Sequence, residues 1–188
     1  MAEVFDPEVL RGLKLGSALE EKGVTLDPFD VKSGLLLRPL KSTDLGMDSF
    51  LHISSDYLRL LKQLTVVGNV SPDALEGRCK EFFSRPNTYF IVVLEDLQTH
   101  RIVGCATLLV ELKVIHGLSK RGHIEDVVVD EAFRGKGLGQ LLITVLVEIG
   151  RAQGCYKISL DCDHDKVAFY GKKGFKQETV SMCLRLHD

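Results

Sequence analysis

One segment of the chain places phosphate-binding chemistry at a defined spacing. Val127-Val128-Val129 reads as a buried strand, and Asp130-Glu131-Ala132-Phe133-Arg134-Gly135-Lys136-Gly137-Leu138-Gly139 follows it. Glycines let a backbone turn tightly and approach a ligand closely. The first N–H groups of the helix that follows are unpaired and carry the positive end of its dipole. Together these features hold a diphosphate without a metal, and Arg134 and Lys136 add charge at the rim. The same glycines also suit an ordinary strand-to-helix turn. The spacing is neither Gly-x-x-x-x-Gly-Lys-Ser/Thr nor Gly-x-Gly-x-x-Gly, so ATP or NAD binding through those motifs is not supported.

Other reactive side chains are scattered. Glu125 and Asp126 are consecutive on a strand, so alternation predicts opposite faces and excludes a paired-carboxylate dyad. Tyr170 is a phenol, protonated at neutral pH and able to donate to a leaving group; beside Phe169 it equally suits an aromatic core. Lys113, His116, Lys157 and Arg185 are candidate partners for a phosphate monoester, each alone an ordinary surface cation. Cys162, with His164 two residues on, raises a covalent acyl-cysteine route. A thiol nucleophile needs a base or a depressed pKa, and direct transfer in a ternary complex is preferred.

The elements around these residues follow from periodicity. Residues 1–33 are weakly patterned and read as an N-terminal arm that packs on the domain or dangles, with one helical turn near Val9–Leu13. The folded unit begins at 34 and runs to 188. Leu35–Leu40 is a short strand stopped by proline. A helix capped by Thr43 or Asp44 reaches about Leu61, with Leu51, Leu58 and Leu61 on its apolar face. Ser71-Pro72 opens a second helix running to about Phe83. Tyr89–Leu94 and Ile102–Lys113 form a hairpin, and Gly122–Val129 is the next strand. Leu138, Leu141, Leu142, Val145, Leu146 and Ile149 define an amphipathic helix. Cys155–Leu160 is a strand, Val167–Lys172 a helix and Phe175–Leu186 the last strand. Three antiparallel strands followed by βαβ units imply a mixed α/β sheet.

Composition narrows the class. The 188 residues suit one domain, and 45% hydrophobic with 27% charged residues excludes a disordered chain or a coiled-coil rod. With 24 Lys and Arg against 26 Asp and Glu, the net charge of −2 disfavours nucleic-acid binding by bulk charge. Five cysteines without a Cys-x-x-Cys pair suit neither a disulfide scaffold nor a zinc ribbon. The start of the chain lacks the pattern of a secretory signal, and no apolar run is long enough to span a bilayer. The expectation is a soluble, reduced, cytoplasmic protein with no metal; peripheral association with an endomembrane surface is left open.

Arg134-Gly135-Lys136-Gly137-Leu138-Gly139 resembles the Arg/Gln-x-x-Gly-x-Gly/Ala signature of the GNAT acyltransferase superfamily. Within it, the stretches Gln63-Leu64-Thr65, Lys113-Val114-Ile115-His116, Arg121 to Val129, Cys155-Tyr156-Lys157-Ile158 and Phe169-Tyr170 resemble the glucosamine-6-phosphate N-acetyltransferases. The resemblance spans roughly Leu35 to Arg185. It implies the GNAT fold, a mixed, mostly antiparallel central sheet flanked by helices, with a splayed pair of parallel strands. It implies acetyl-CoA as co-substrate, held by the backbone of Val127, Val128 and Val129, by Arg134 to Gly139, and by Gln140, Tyr170 and Lys172. It implies an amino-sugar phosphate held by Thr65, Lys113, Val114, Ile115, His116, Glu125, Asp126, Tyr156, Lys157 and Arg185. Tyr170 is the implied acid, while Glu125 or Asp126 takes the ammonium proton through water, or the Asp161 carbonyl orients the amine. A homodimer with shared sites is implied, with some of these contacts crossing its interface. Lys166 stands where the family usually has asparagine, and alignment onto Glu178 breaks because the stretch after Gly174 is shorter.

The resulting expectation is acetyl transfer from acetyl-CoA to the 2-amino group of glucosamine 6-phosphate, which feeds UDP-N-acetylglucosamine synthesis. A protein or peptide amine acetyltransferase shares the cofactor loop but lacks a reason for the cationic set. A non-catalytic acyl-CoA-binding module gains weight only from Lys166.

Overall fold

The computed structural model describes residues 2–30, 32–46 and 55–186. Its centre is a six-stranded sheet in sequence order, with β1 (Val24–Thr25), β2 (Leu35–Pro39), β3 (Tyr89–Asp96), β4 (Arg101–Leu112), β5 (Lys120–Val129) and β6 (Cys155–Leu160). The outer pairs β1/β2 and β5/β6 are parallel and the inner three pairings antiparallel. Strand β3 is buried along Phe90–Leu94, as a β-branched run covered on both faces must be.

Helices are α1 (Glu8–Arg11), α2 (Gly16–Glu20), α3 (Asp56–Leu61), α4 (Pro72–Phe83), α5 (Ile115–Leu118), α6 (Leu138–Ala152) and α7 (Val167–Gly171). Helix α4 starts where Ser71 Oγ accepts from the Ala74 N–H and Pro72 takes the first turn. Helix α6 buries Leu138, Leu141, Leu142, Val145, Leu146 and Ile149 against the sheet, each contributing about 1.5–3 kcal/mol. It approaches closely because a β-carbon on Gly150 would stand 2.5 Å from Ile158 Cδ1.

The N-terminal arm packs into the same core. Val4, Phe5, Leu10, Leu15, Leu19 and Val24 are buried, Phe5 lies 5.2 Å from the Phe90 ring, and the Val4 N–H bonds to Leu40 O. These apolar residues are spaced for short turns, with no long helix or strand to reveal their period. At the sheet end, Arg38 is buried between Asp44 and Glu95, with 2.7 Å contacts to each. The Arg38 forks satisfy both carboxylates and tie β2 to β3.

Two expectations are corrected. Phe175–Leu186 forms no strand within this chain, because among the described residues no neighbouring strand pairs with it; Phe175 is half-buried and the residues after it are exposed. The helix expected from Thr43 to Leu61 is instead a 3-10 turn over Ser42–Leu45, ended by Gly46 at φ +80°, and α3, whose first turn is capped by Ser55. Residues 47–54, including Leu51, lie outside the described residues.

Candidate active site

Two parallel strands that begin paired and then part make the cleft. Pairing of β5 with β6 runs from Lys120↔Cys155 to Ile124↔Leu160. Beyond that rung β5 continues beside β4 through Val129, while the chain after Leu160 turns away toward α7. Among the described residues no strand pairs with the β6-facing edge of residues 125–129, so that edge, apart from the Val129 carbonyl that Arg134 takes, is open to an extended ligand.

Alternation fails just there. Asp126 has φ +55°, and the β4/β5 register slips between Cys105 and Thr107. Such a bulge adds a residue and redirects a side chain. The Asp126 carboxyl feels the Glu125 charge, and its own charge helps raise the pKa of Tyr57, whose hydroxyl bonds to Thr107, the register partner of Glu125. The positive φ and the register slip interrupt the regular alternation from which opposite faces are predicted. Burial, and then the Glu125 charge, hold the Asp126 carboxyl above the usual carboxylate value.

His123, absent from the sequence-derived set, links the strands at the point where they part. Its Nε2 lies 3.0 Å from Glu125 Oε1 and 3.9 Å from Asp161 Oδ2, and its Nδ1 is 2.9 Å from Ser159 Oγ. Arg121 Nη2 donates to the same hydroxyl at 2.9 Å. The signal that would have found it is His123 and Glu125 at i, i+2 on one strand, opposite Ser159 and Asp161 at the same interval.

The glycine turn takes the anion-holding form. Gly135 and Gly137 have φ +78° and +79°, and the first bond into α6 runs from the Leu141 N–H to Gly137 O at 3.1 Å. The amides of Leu138, Gly139 and Gln140 precede it and face out of the helix end. Arg134 Nε donates to Val129 O at 3.0 Å, and Lys136 Nζ sits 4.6 Å over the Phe133 ring. Gly139 and Gln140 also position α7: a β-carbon on Gly139 would stand 3.2 Å from Phe169 Cζ, and Gln140 Nε2 donates to Phe169 O at 2.7 Å. The next residue, Tyr170, packs edge-on to Phe169 and Phe175. Burial, with a smaller contribution from Cys162, raises its phenol pKa, which keeps the proton available at neutral pH.

A second set missed in the sequence braces this turn from behind. Asp130 accepts from Arg59 Nη1 at 2.8 Å and Gln63 Nε2 at 3.0 Å, while Gln63 Oε1 accepts from the Glu131 N–H. Thr65 follows two residues later on an exposed loop.

The cationic candidates divide. His116, at φ +55°, stacks on Tyr156 with centroids 4.3 Å apart, and Lys113 pairs with Glu111. Val114 and Ile115 beside them are exposed. Lys157 lies on the opposite face of β6 from Tyr156 by alternation and reaches Glu178 at 3.4 Å. Arg185 lies in the exposed terminal segment, and Lys172 is exposed at the end of α7. Lys157 and Asp161 are four strand positions apart, about 13 Å at the usual rise.

The sequence profile described as the Acetyltransferase (GNAT) family matches residues 53–175. A probable glucosamine 6-phosphate N-acetyltransferase of Drosophila melanogaster is 39% identical over 74% of this chain and 59% of its own length. Glucosamine 6-phosphate N-acetyltransferase 1 of Dictyostelium discoideum is 38% identical over 83% of this chain and 94% of its own. The chain belongs to the glucosamine 6-phosphate N-acetyltransferases of the GNAT family. The crystal structure of the Arabidopsis thaliana glucosamine-6-phosphate N-acetyltransferase superposes with a TM-score of 0.73 and 32% identity, covering 81% of this chain and 99% of that one. The mixed sheet and parting parallel strands of this acetyltransferase are those of the fold. Lys166, where the sequence resemblance expects asparagine, is exposed and paired with Asp165. Among the described residues no three His, Cys, Asp or Glu side chains form a metal-ligand group, and no helix is long and apolar enough to cross a membrane.

Proposed function

We propose that this acetyltransferase moves the acetyl group of acetyl-CoA to the 2-amino group of D-glucosamine 6-phosphate. The products are N-acetyl-D-glucosamine 6-phosphate and CoA, on the route to UDP-N-acetylglucosamine. The observation that carries the reading is the parting of β5 and β6 at Ile124↔Leu160, with a glycine turn at one end and the His123, Glu125 and Asp161 cluster at the other.

The co-substrate fits what the chain offers. Its diphosphate takes the α6 amides and the Arg134 and Lys136 rim, and its pantetheine arm bonds to the open edge of Val127–Val129. The amino group of a sugar bearing electron-withdrawing oxygens has a pKa below the ~10.4 of lysine, so part of it is neutral near pH 7. The Asp161 carbonyl orients that amine toward the thioester carbonyl. The C–N bond forms and the C–S bond breaks. The nitrogen proton passes through water to Glu125, held by His123, and Tyr170 donates its proton to the departing thiolate before recovering one from solvent. Cys162 takes no part: direct transfer needs no thiol nucleophile.

The working unit in this reading is a cytoplasmic homodimer. Lys157 stands about 13 Å up the same strand from Asp161, a separation that suits a contact shared between two copies. Lys157, Lys113, His116 and Arg185 then serve the partner's site. The exposed Leu112, Val114, Ile115 and Leu118, with the alternating exposed Val180, Met182, Leu184 and Leu186, form the apolar surface that pairing would cover. The five free cysteines support a reducing compartment.

Thiol release from acetyl-CoA, measured side by side with glucosamine 6-phosphate, glucosamine and a lysine peptide, tests the assignment. Release confined to the phosphorylated sugar is expected. Release with the peptide alone overturns the amino-sugar reading.

A further inference from the structure

The N-terminal arm carries a lysine to the glycine turn. Lys22 sits in the tight turn between α2 and β1, where its N–H bonds to Leu19 O and the Gly23 N–H to Glu20 O. Leu19 and Val24, on either side, are buried, so the backbone at Lys22 is anchored to the core rather than tethered loosely. Its side chain runs onto the turn that opens α6. A β-carbon on Gly137 would stand 3.0 Å from Lys22 Cε and 3.1 Å from Nζ. The φ of +79° at Gly137 favours glycine, and the end of the lysine side chain lies across it.

The electrostatics of that placement need an anion. The ammonium stands at the positive end of a 15-residue helix, beside the Arg134 and Lys136 rim. Cations at a helix N-terminus are disfavoured. The carboxylate that offsets it is that of Glu21, the preceding residue, 2.6 Å from Nζ and largely exposed. Glu21 also feels Lys173, beyond α7. Lys22 from the arm thus joins Arg134 and Lys136, which the turn itself carries, beside the amides that open α6. The family profile begins at residue 53 and does not include Lys22.

We propose that Lys22 is a ligand of the CoA diphosphate, so that the arm completes the co-substrate site. The proposal rests on the acetyl-CoA reading above and adds the arm to it. An ammonium this close to the turn meets a non-bridging phosphate oxygen as a point charge. Glu21 holds the lysine in place until the anion arrives.

Calorimetric titration of CoA and of dephospho-CoA into the full chain, into Lys22→Met and into Lys22→Arg tests the idea. Lys22→Met keeps the stem and removes the charge. It is expected to weaken both ligands by roughly tenfold and to flatten the salt dependence of binding, while Lys22→Arg stays near wild type. Loss toward CoA alone would move the contact to the 3′-phosphate and overturn the diphosphate assignment. Equal affinity in wild type and Lys22→Met overturns the proposal, as does tighter binding in Lys22→Met, which would make Lys22 a plug. If the wild-type chain bound neither ligand, the acetyl-CoA reading itself would fall. A thermal melt of Lys22→Met matching wild type separates lost charge from lost fold.

Discussion

His123 Nδ1 lies 2.9 Å from Ser159 Oγ across the parallel pair, one rung before β5 and β6 part. Arg121 donates to the same serine oxygen, and the other ring nitrogen, Nε2, lies 3.0 Å from Glu125 Oε1. This chain of side chains ends on the carboxylate that takes the amine proton in the proposed reaction. Replacing His123 by alanine should lower kcat about tenfold or more and leave the Kd for acetyl-CoA near wild type. His123→Gln, whose amide still donates to Glu125, should recover part of the loss. Steady-state kinetics with glucosamine 6-phosphate, beside calorimetric titration of CoA, would show the split.

Tyr170 is the acid in this scheme. Its raised pKa means the phenol is protonated throughout the neutral range. Tyr170→Phe keeps the ring contacts with Phe169 and Phe175 and deletes only the proton. A fall in kcat of about 10²–10⁴ is expected, with a smaller change in KM. Unchanged turnover at every pH would remove Tyr170 from the mechanism.

Asp126 links the bulge to pH. Its carboxyl titrates above the unfolded value of about 3.9. The protonated form is therefore favoured in the folded state, and the stability it lends is complete below the unfolded value and lost as pH rises through the folded one. Asp126→Asn should be more stable than wild type at neutral pH and no more stable below pH ~4. Melting curves across that range would decide it, and a parallel pH dependence in the two proteins would refute the assignment.

Arg38 makes the opposite case. Burial alone would raise the Glu95 carboxyl, but the hydrogen bond and charge of Arg38 outweigh it and hold the pKa low. A lowered carboxyl gives stability that is present above the unfolded value of about 4.3 and fades as pH falls toward the folded one. Arg38→Met strands Asp44 and Glu95, both nearly buried, and should cost about 3–5 kcal/mol. Chemical denaturation at neutral pH would measure it.

Charges on the terminal apolar stripe would probe the dimer. Met182→Glu with Leu184→Glu alters two fully solvated side chains of the isolated chain, so the protomer should melt as wild type does. A dimer built on that stripe should fall to monomer in light scattering and lose turnover with it. Retention of the dimer would relocate its interface.

The glycine turn was legible from residue types because its work is local: turn conformation, helix dipole and two rim cations lie within six residues. The hairpin, α4 and α6 were legible for the same reason, since period and caps reside in the elements themselves. His123 escaped because its partners Ser159 and Asp161 lie 36 and 38 positions along the chain. The irregularity at Asp126 escaped alternation, since a bulge depends on how the neighbouring strand registers. Phe175–Leu186 carried a strand pattern without a strand, because a pattern needs a neighbour's unpaired edge to become a ladder.

From order alone came an α/β sheet and a glycine turn suited to an anion, and the motif residues carried the resemblance to an acetyltransferase. The first two follow from short-range sterics and periodicity, which need no knowledge of distant partners. Folding supplied the cleft where β5 and β6 part, the bulge at Asp126 and the passage of Lys22 over Gly137. Each of these is a relation between segments far apart in the chain, set by which side chains can pack together in one core.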